Sequence, residues 1–335
     1  MGVLVPRYRL QVNGKDITSI VENRLESLSL SVKSGFEADQ LDLSLHDHDG
    51  RLALPPRQAE IRVWLGWEDL GLVDCGRYNV DEVEHSGSPD RLRITARSAD
   101  FCDGLLQQYE RSYHGKTIGQ IVASIATESK LTPVVSPALA SQVVDHIDQT
   151  RESDANFLTR LARRYDAIAT VKSGKLLFMP MGEAKTASGK PIERVTITRQ
   201  SGDQHRYTVA DRDNFSGVKA CYQNVKGAKT ASVLVGKEGN VKTLHHTYAS
   251  KANAQRAAES HWQRIQRGTV SFSLTLARGR VDLCPETPVT VSGFKPEIDD
   301  TTWILRDLQH SLDGSGGLTT TAQFDKKIAE VADDQ

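Results

Sequence analysis

The sequence predicts a β-rich α+β fold built around a duplicated β-domain. Short apolar–polar alternations run through the first hundred residues and return after about residue 190. Between them, from about residue 105, the apolar period becomes helical. A hairpin-sized pattern near Tyr78 is repeated near Trp303.

The first alternations are YRLQV from Tyr8, LSLSV from Leu28, LDLSL from Leu41, IRVWL from Ile61, YNV from Tyr78 and LRITA from Leu92. Each puts apolar side chains on one face of a half-buried strand. Asn13-Gly14 is expected to turn the first strand into the second, and Gly-, Pro- and Asp-containing breaks separate the others. A compact sandwich or barrel follows from this spacing.

Thr117 and Gln120 form a capping box ahead of Ile118, Ile121, Val122, Ile125 and Ala126, which share one helical face. After the connection LTPVVSPALASQ comes ESDANFLTRLARRYDAIATVKSGKLLFM, residues 152–179. Phe157, Leu158, Leu161, Ala162 and Tyr165 form a buried stripe, with Asn156, Thr159, Arg160, Arg163 and Arg164 opposite. Ser153 caps this helix, Asp154 suits its positive end and the arginines its negative end. Ala167–Val171 and Leu176–Met179 then read as a hairpin around Ser173-Gly174. A third helix starts at Ser250 and buries Ala254, Ala257, Ala258, His261, Trp262 and Ile265; the strands VSFSLTLA from Val270 and VTVSG from Val289 follow.

The internal echo is the most informative feature. Tyr78, Val80, Val83, His85 and Ser86 precede a turn and then Leu92, Thr95 and Ala96; Trp303, Leu305, Leu308, His310 and Ser311 precede a turn one residue longer and then Leu318, Thr321 and Ala322. IRVWLG before the first copy is similar to VTVSG before the second. A duplicated β-domain is the reading taken.

Composition excludes some classes. With 42 Lys and Arg against 43 Asp and Glu in 335 residues, the formal net charge is −1, which gives no basic field for nucleic acid. Cys75, Cys102, Cys221 and Cys284 have no paired spacing, so neither a disulfide framework nor a zinc site is expected. Neither an export leader nor a membrane span is expected.

DQTRESDANFLTRLARRYDAIATVKSGKLLFM and LRDLQHSLDGSGGLTTTAQF together resemble the late control gene D family of tailed-phage proteins, and more distantly the hub part of VgrG proteins of type VI secretion. The resemblance covers nearly the whole chain, and Glu-Ser-Asp-x-x-Phe-Leu-x-Arg-Leu is its most specific part. It implies a structural baseplate hub of a contractile phage or phage-like tail. Two related β-barrel domains with α+β insertion domains would assemble as a ring-shaped homotrimer, adapting a six-fold tail tube to a three-fold central spike around an axial channel. The implied partners are the tube protein, the spike protein, and tape-measure and baseplate wedge proteins, in a particle assembled in the bacterial host cytoplasm; a membrane anchor and specific nucleic-acid binding are not implied. VgrG chains continue into a spike, whereas this sequence closes with DKKIAEVADDQ, so the spike is expected on a separate chain. The expected division is a first barrel at 1–104, an α+β insertion at 105–190, a second barrel at 191–327 with a helical insertion around 217–268, and a charged tail at 328–335.

Within this scheme Tyr78, Val80, Val83, His85, Trp303, Leu305, Leu308 and His310 are structural repeat positions, while Phe157, Leu158, Leu161 and Tyr165 pack the insertion domain. Glu152, Ser153 and Asp154 are read as capping. Catalytic, cofactor-binding and metal-binding residues are not expected. His46 and His48 in HDHDG share a strand face without a third ligand, and His245 and His246 diverge. His85 and His310, each followed by Ser, have no orienting carboxylate placed by sequence. Arg256, Arg264 and Arg267 are read as a solvated or intersubunit face. Two other functions compete with the hub: a tail-tip peptidoglycan-degrading enzyme, which needs a paired-carboxylate cleft, and a nucleic-acid-binding regulator, which needs a basic patch.

Overall fold

A computed structural model of the chain describes residues 4–99, 103–186, 188–209, 215–224, 229–314 and 316–327. The expected tail at 328–335 lies outside these residues.

The first β-unit contains β1 (Pro6–Val12), the two-residue β2 (Lys15–Asp16), a helical turn α1 (Thr18–Val21), β3 (Leu25–Val32), β4 (Gln40–His46), β5 (Glu60–Trp67), β6 (Gly71–Ser86) and β7 (Arg91–Ser98). Apolar residues alternate inward, so Leu28, Leu30, Leu41, Leu43, Ile61, Val63, Tyr78, Val80, Leu92 and Ala96 make one core. Asn13 and Gly14 do turn the chain, both with positive φ (48° and 77°), but into β2. β3 was the expected partner of β1; β1 pairs instead with β5 along Pro6–Val12.

The insertion runs through β8 (Gln108–Thr117), α2 (Ile118–Glu128), β9 (Thr132–Val135), a short α3 (Pro137–Ala140), β10 (Val143–Ser153), α4 (Asp154–Arg164), β11 (Ala167–Lys172) and β12 (Lys175–Pro180). The Thr117–Gln120 capping box forms in both directions. The α4 stripe of Phe157, Leu158 and Leu161 is fully buried against α2 and the strands, with Tyr165 at its end. β8 and β10 form a two-stranded ribbon, and β11–β12–β9 a small sheet.

The second β-unit contains β13 (Val195–Thr198) and β14 (Gly202–Val209), then a side module of β15 (Gly217–Asn224), β16 (Lys229–Gly236), β17 (Val241–Tyr248) and α5 (Lys251–Gly268). It resumes with β18 (Val270–Leu276), β19 (Pro288–Ser292), a turn α6 (Pro296–Asp299), β20 (Trp303–Asp313) and β21 (Gly317–Lys326). Phe272, Leu274, Val289, Trp303, Leu305, Leu308 and Phe324 form its core.

The two units share one 13-stranded sheet, in the order β14–β18–β21–β20–β3–β4–β7–β6–β5–β1–β2, with β19 on β20 and β13 on β19. Two closed barrels were expected; the described strands form no closed barrel. They make one open sheet, because β20 uses its outer half, Leu308–Asp313, to pair with β3 of the first unit. Among the described residues, each unit keeps an unpaired strand edge.

Candidate functional site

The repeat is visible in the hydrogen-bond ladders. Taken from one side to the other, the first unit is β3–β4–β7–β6–β5–β1 and the second β14–β18–β21–β20–β19–β13, and the matched strands also follow the same order along the chain. In both hairpins a bulge falls at the same place, between Val80 and Glu82 and between Leu305 and Asp307. A bulge re-aims every side chain beyond it, so a shared bulge keeps both copies in phase. Ile61 lies opposite Tyr78, and Val289 opposite Trp303. One strand departs, since β1 runs antiparallel to β5 whereas β13 runs parallel to β19.

The ladders also correct the sequence matching on the return strand. Leu92 opposes His85 and Thr320 opposes His310, so Leu92 corresponds to Thr320 rather than Leu318, and Ala96 to Phe324 rather than Ala322. The second hairpin is longer by two pairs, Leu312 with Leu318 and Asp313 with Gly317. A two-residue displacement leaves every side chain on its own face, which hides the slip in an alternating sequence.

Tyr78, Val80, Trp303, Leu305 and Leu308 are buried. Val83 is half-buried and His85 exposed, whereas His310 is 1% exposed. His310 lies between Leu30 of β3 and Thr320 of β21, and its Nδ1 is 2.8 Å from the Thr320 hydroxyl. Burial pushes its imidazole down to about 4, so it is neutral near pH 7. The matching flank of β6, beyond Val80, has no strand beside it among the described residues, and the outer edge of β14 is equally unpaired. Val209, on that β14 edge, is 58% exposed.

The other candidates are held in place by the fold. Asp47 of HDHDG is buried, accepts the Leu52 N–H at 3.1 Å, and sits 3.3 Å from Nε2 of His85. His46 is half-buried on β4, His48 is exposed, and His245 and His246 are both exposed on β17, where its pairing with β15 is irregular. Among the described residues, no group of three or more His, Cys, Asp or Glu side chains could hold a metal. Ser153 caps α4 through the Asn156 N–H, while Glu152 pairs with Arg160. Asp154 goes further than capping: it is 1% exposed and accepts from Gln149 at 2.8 Å, and burial raises its carboxyl.

The α5 arginines are not a solvated face. Arg264 and Ser260 donate to the Arg163 carbonyl at the end of α4, Arg267 makes a two-fold ion pair with Asp166, and Arg256 lies 5.0 Å over the Tyr165 ring. They clamp the side module to the insertion.

Sequence reasoning passed over Glu286, since CPET carries no period. Its side chain joins the second unit to the insertion by accepting the Gly182 N–H at 2.7 Å. Burial raises the carboxyl to about 7; the Gly182 N–H and Arg267 oppose this, and Asp325 and Asp166 add to it. An adjoining cavity of about 470 Å³ is lined by Met181, Arg267, Arg306 and Asp325. Among the described residues, no helix is long and apolar enough to cross a membrane.

Comparison with known proteins gives a consistent picture. A family described as phage tail baseplate hub matches residues 39–315. Two proteins named probable baseplate hub protein are similar: that of Escherichia phage 186 is 43% identical and that of Escherichia phage P2 41%, each over 98% of this chain and 95% of the relative. Among solved structures, a tail protein from Neisseria meningitidis has a TM-score of 0.73 at 16% identity, covering 96% of both chains. An E. coli component of the type VI secretion system has a TM-score of 0.57 at 12% identity, covering 98% of this chain and 78% of that one. These two structures share the fold.

Proposed function

The chain belongs to the phage tail baseplate hub family, and from that premise we propose that three copies close into a ring whose six β-units adapt a six-fold tail tube to a three-fold spike. That it is a baseplate hub protein of contractile-tail phages, and so a virion component, follows from the family. The ring is the further step, and one observation carries it: among the described residues, the β20–β3 junction inside the chain has an unfilled counterpart. β6 corresponds to β20 and β14 to β3, so the free flank of β6 in one copy fits the free edge of β14 in the next. Transferring the β20–β3 register puts Val83 opposite Val209 and His85 opposite Tyr207 of the neighbouring copy. Such heterologous contacts give a filament unless the ring closes. Closure also removes the free strand edges that invite aggregation.

In this ring each chain supplies a first barrel segment at 1–104 and a second at 191–327, with the insertion at 105–190 and the side module around 217–268. The tube, a separate spike chain, tape-measure and wedge proteins are its partners. We assign no catalytic role to any residue, and the eight repeat positions serve as packing.

Cross-linking tests the ring. With the native cysteines replaced by serine, His85→Cys combined with Tyr207→Cys is expected to give disulfide-linked trimers on mild oxidation, and light scattering of the unmodified chain to give three times the chain mass. Monomers at micromolar concentration with the spike protein present, or no intermolecular cross-link in a trimer, would overturn the proposed edge.

A further inference from the structure

The β8–β10 ribbon carries a side-chain cluster that the hub reading leaves unused. His114 and His146 are directly opposite each other in this antiparallel ladder, both facing outward and both exposed. Directly opposed residues bring their Cβ atoms to about 5 Å, within which two imidazoles can share one small ion. Their Nδ1 atoms are 3.1 Å apart and the ring centroids 4.4 Å. Two nitrogens at that separation, each about 2.05 Å from a metal, would subtend roughly 100° there, between octahedral and tetrahedral angles.

The second observation is the partner of the other ring nitrogen. Asp148 Oδ2 lies 3.0 Å from Nε2 of His146, and Ser112 donates to Oδ1 of the same carboxylate. A carboxylate on the far nitrogen places the proton on Nε2 and leaves the Nδ1 lone pair free, which is the usual support of a metal-ligating histidine.

We propose that His114 and His146 form a two-imidazole chelate for a divalent transition metal of the zinc, nickel or copper class, oriented by Asp148. The rings now lie 26° from parallel, and chelation turns each about Cβ–Cγ, a soft torsion for exposed imidazoles. For the ion to bind, the proton that His114 holds on Nδ1 moves to its own Nε2, which leaves both rings neutral with both Nδ1 lone pairs on the ion, and water fills the remaining positions. The ion clips together a two-stranded ribbon that would have little stability on its own. This inference is independent of the ring.

Titration calorimetry of the untagged chain with zinc chloride near neutral pH tests it. One equivalent per chain is expected at micromolar affinity. His114→Ala or His146→Ala should weaken it at least tenfold, Asp148→Asn by about tenfold, and His245→Ala/His246→Ala should leave it unchanged. Absorption spectra with copper(II) should report nitrogen ligation in the wild type and lose it in His114→Ala. Circular dichroism checks that each variant is folded. An isotherm unaltered by His114→Ala, or no binding to the wild type at millimolar zinc, would overturn the proposal.

Discussion

His85 and His310 hold the same register position in two matched hairpins, opposite Leu92 and Thr320, yet His85 is exposed and His310 is 1% exposed. The difference lies in what stands beside them. β3 covers the flank of β20, and no described strand covers the same flank of β6.

A first prediction separates assembly from folding. Val83→Lys and Val209→Lys place a charge on the free edges; Val209 is 58% exposed, whereas Val83 is half-buried against the core of the first unit. Each should abolish the trimer, and Val209→Lys should change monomer stability by only about 0.5 kcal/mol. Denaturant midpoints beside light scattering would check this, and a trimer surviving both changes would remove the edge-pairing geometry.

The period-2 and period-3.6 patterns were legible because burial imposes them directly, as at Leu28 and Leu30 in β3 or Phe157 and Leu161 in α4. Trp303, Leu305, Leu308 and His310 copy the spacing of Tyr78, Val80, Val83 and His85, and the two ladders carry these residues at matching positions. What stayed hidden was long-range pairing. Nothing local tells Tyr8–Val12 to choose β5 over β3, and an alternating return strand looks the same after a slip of two. Ion pairs such as Arg267 with Asp166 were invisible for the same reason, since 101 residues separate them.

The Arg267–Asp166 pair is a second test. Both side chains are about a tenth exposed, so removing the arginine leaves a carboxylate facing the α4–α5 seam with its main cation gone. Arg267→Ala should cost about 3–5 kcal/mol, the usual penalty for breaking a buried pair. Chemical denaturation measures it; a loss within experimental error would mean that water replaces the guanidinium.

His310 predicts an acid limb. Its folded value is depressed to about 4 from an ordinary 6.5, so the unfolded chain binds the proton first. Its contribution is complete above about pH 6.5 and is lost as pH falls toward 4, by about 3 kcal/mol in all. His310→Gln keeps a polar partner for Thr320 and should lose less stability than the wild type as pH falls from 6.5 toward 4. A stability difference between wild type and His310→Gln that stays constant from pH 6.5 to 4.5 would refute it.

Glu286 predicts the opposite limb, where the second β-unit meets the insertion. Its folded value is raised to about 7 from 4.5, chiefly by burial, so the folded chain holds the proton more tightly than the unfolded chain. The resulting stability is complete below about pH 4.5 and is lost as pH rises through about 7, to a total of about 3 kcal/mol. Glu286→Gln keeps an acceptor for the Gly182 N–H and cannot ionise beside Asp325 and Asp166. The variant should match the wild type near pH 4.5, where Glu286 is protonated, and exceed it near pH 8, with the gap opening between those values. Hydrogen exchange at the Gly182 amide gives a local readout: protection should fall with rising pH in the wild type by more than intrinsic exchange accounts for, and not in the variant. Parallel stability curves for the two proteins would show that ionising Glu286 does not strain this seam.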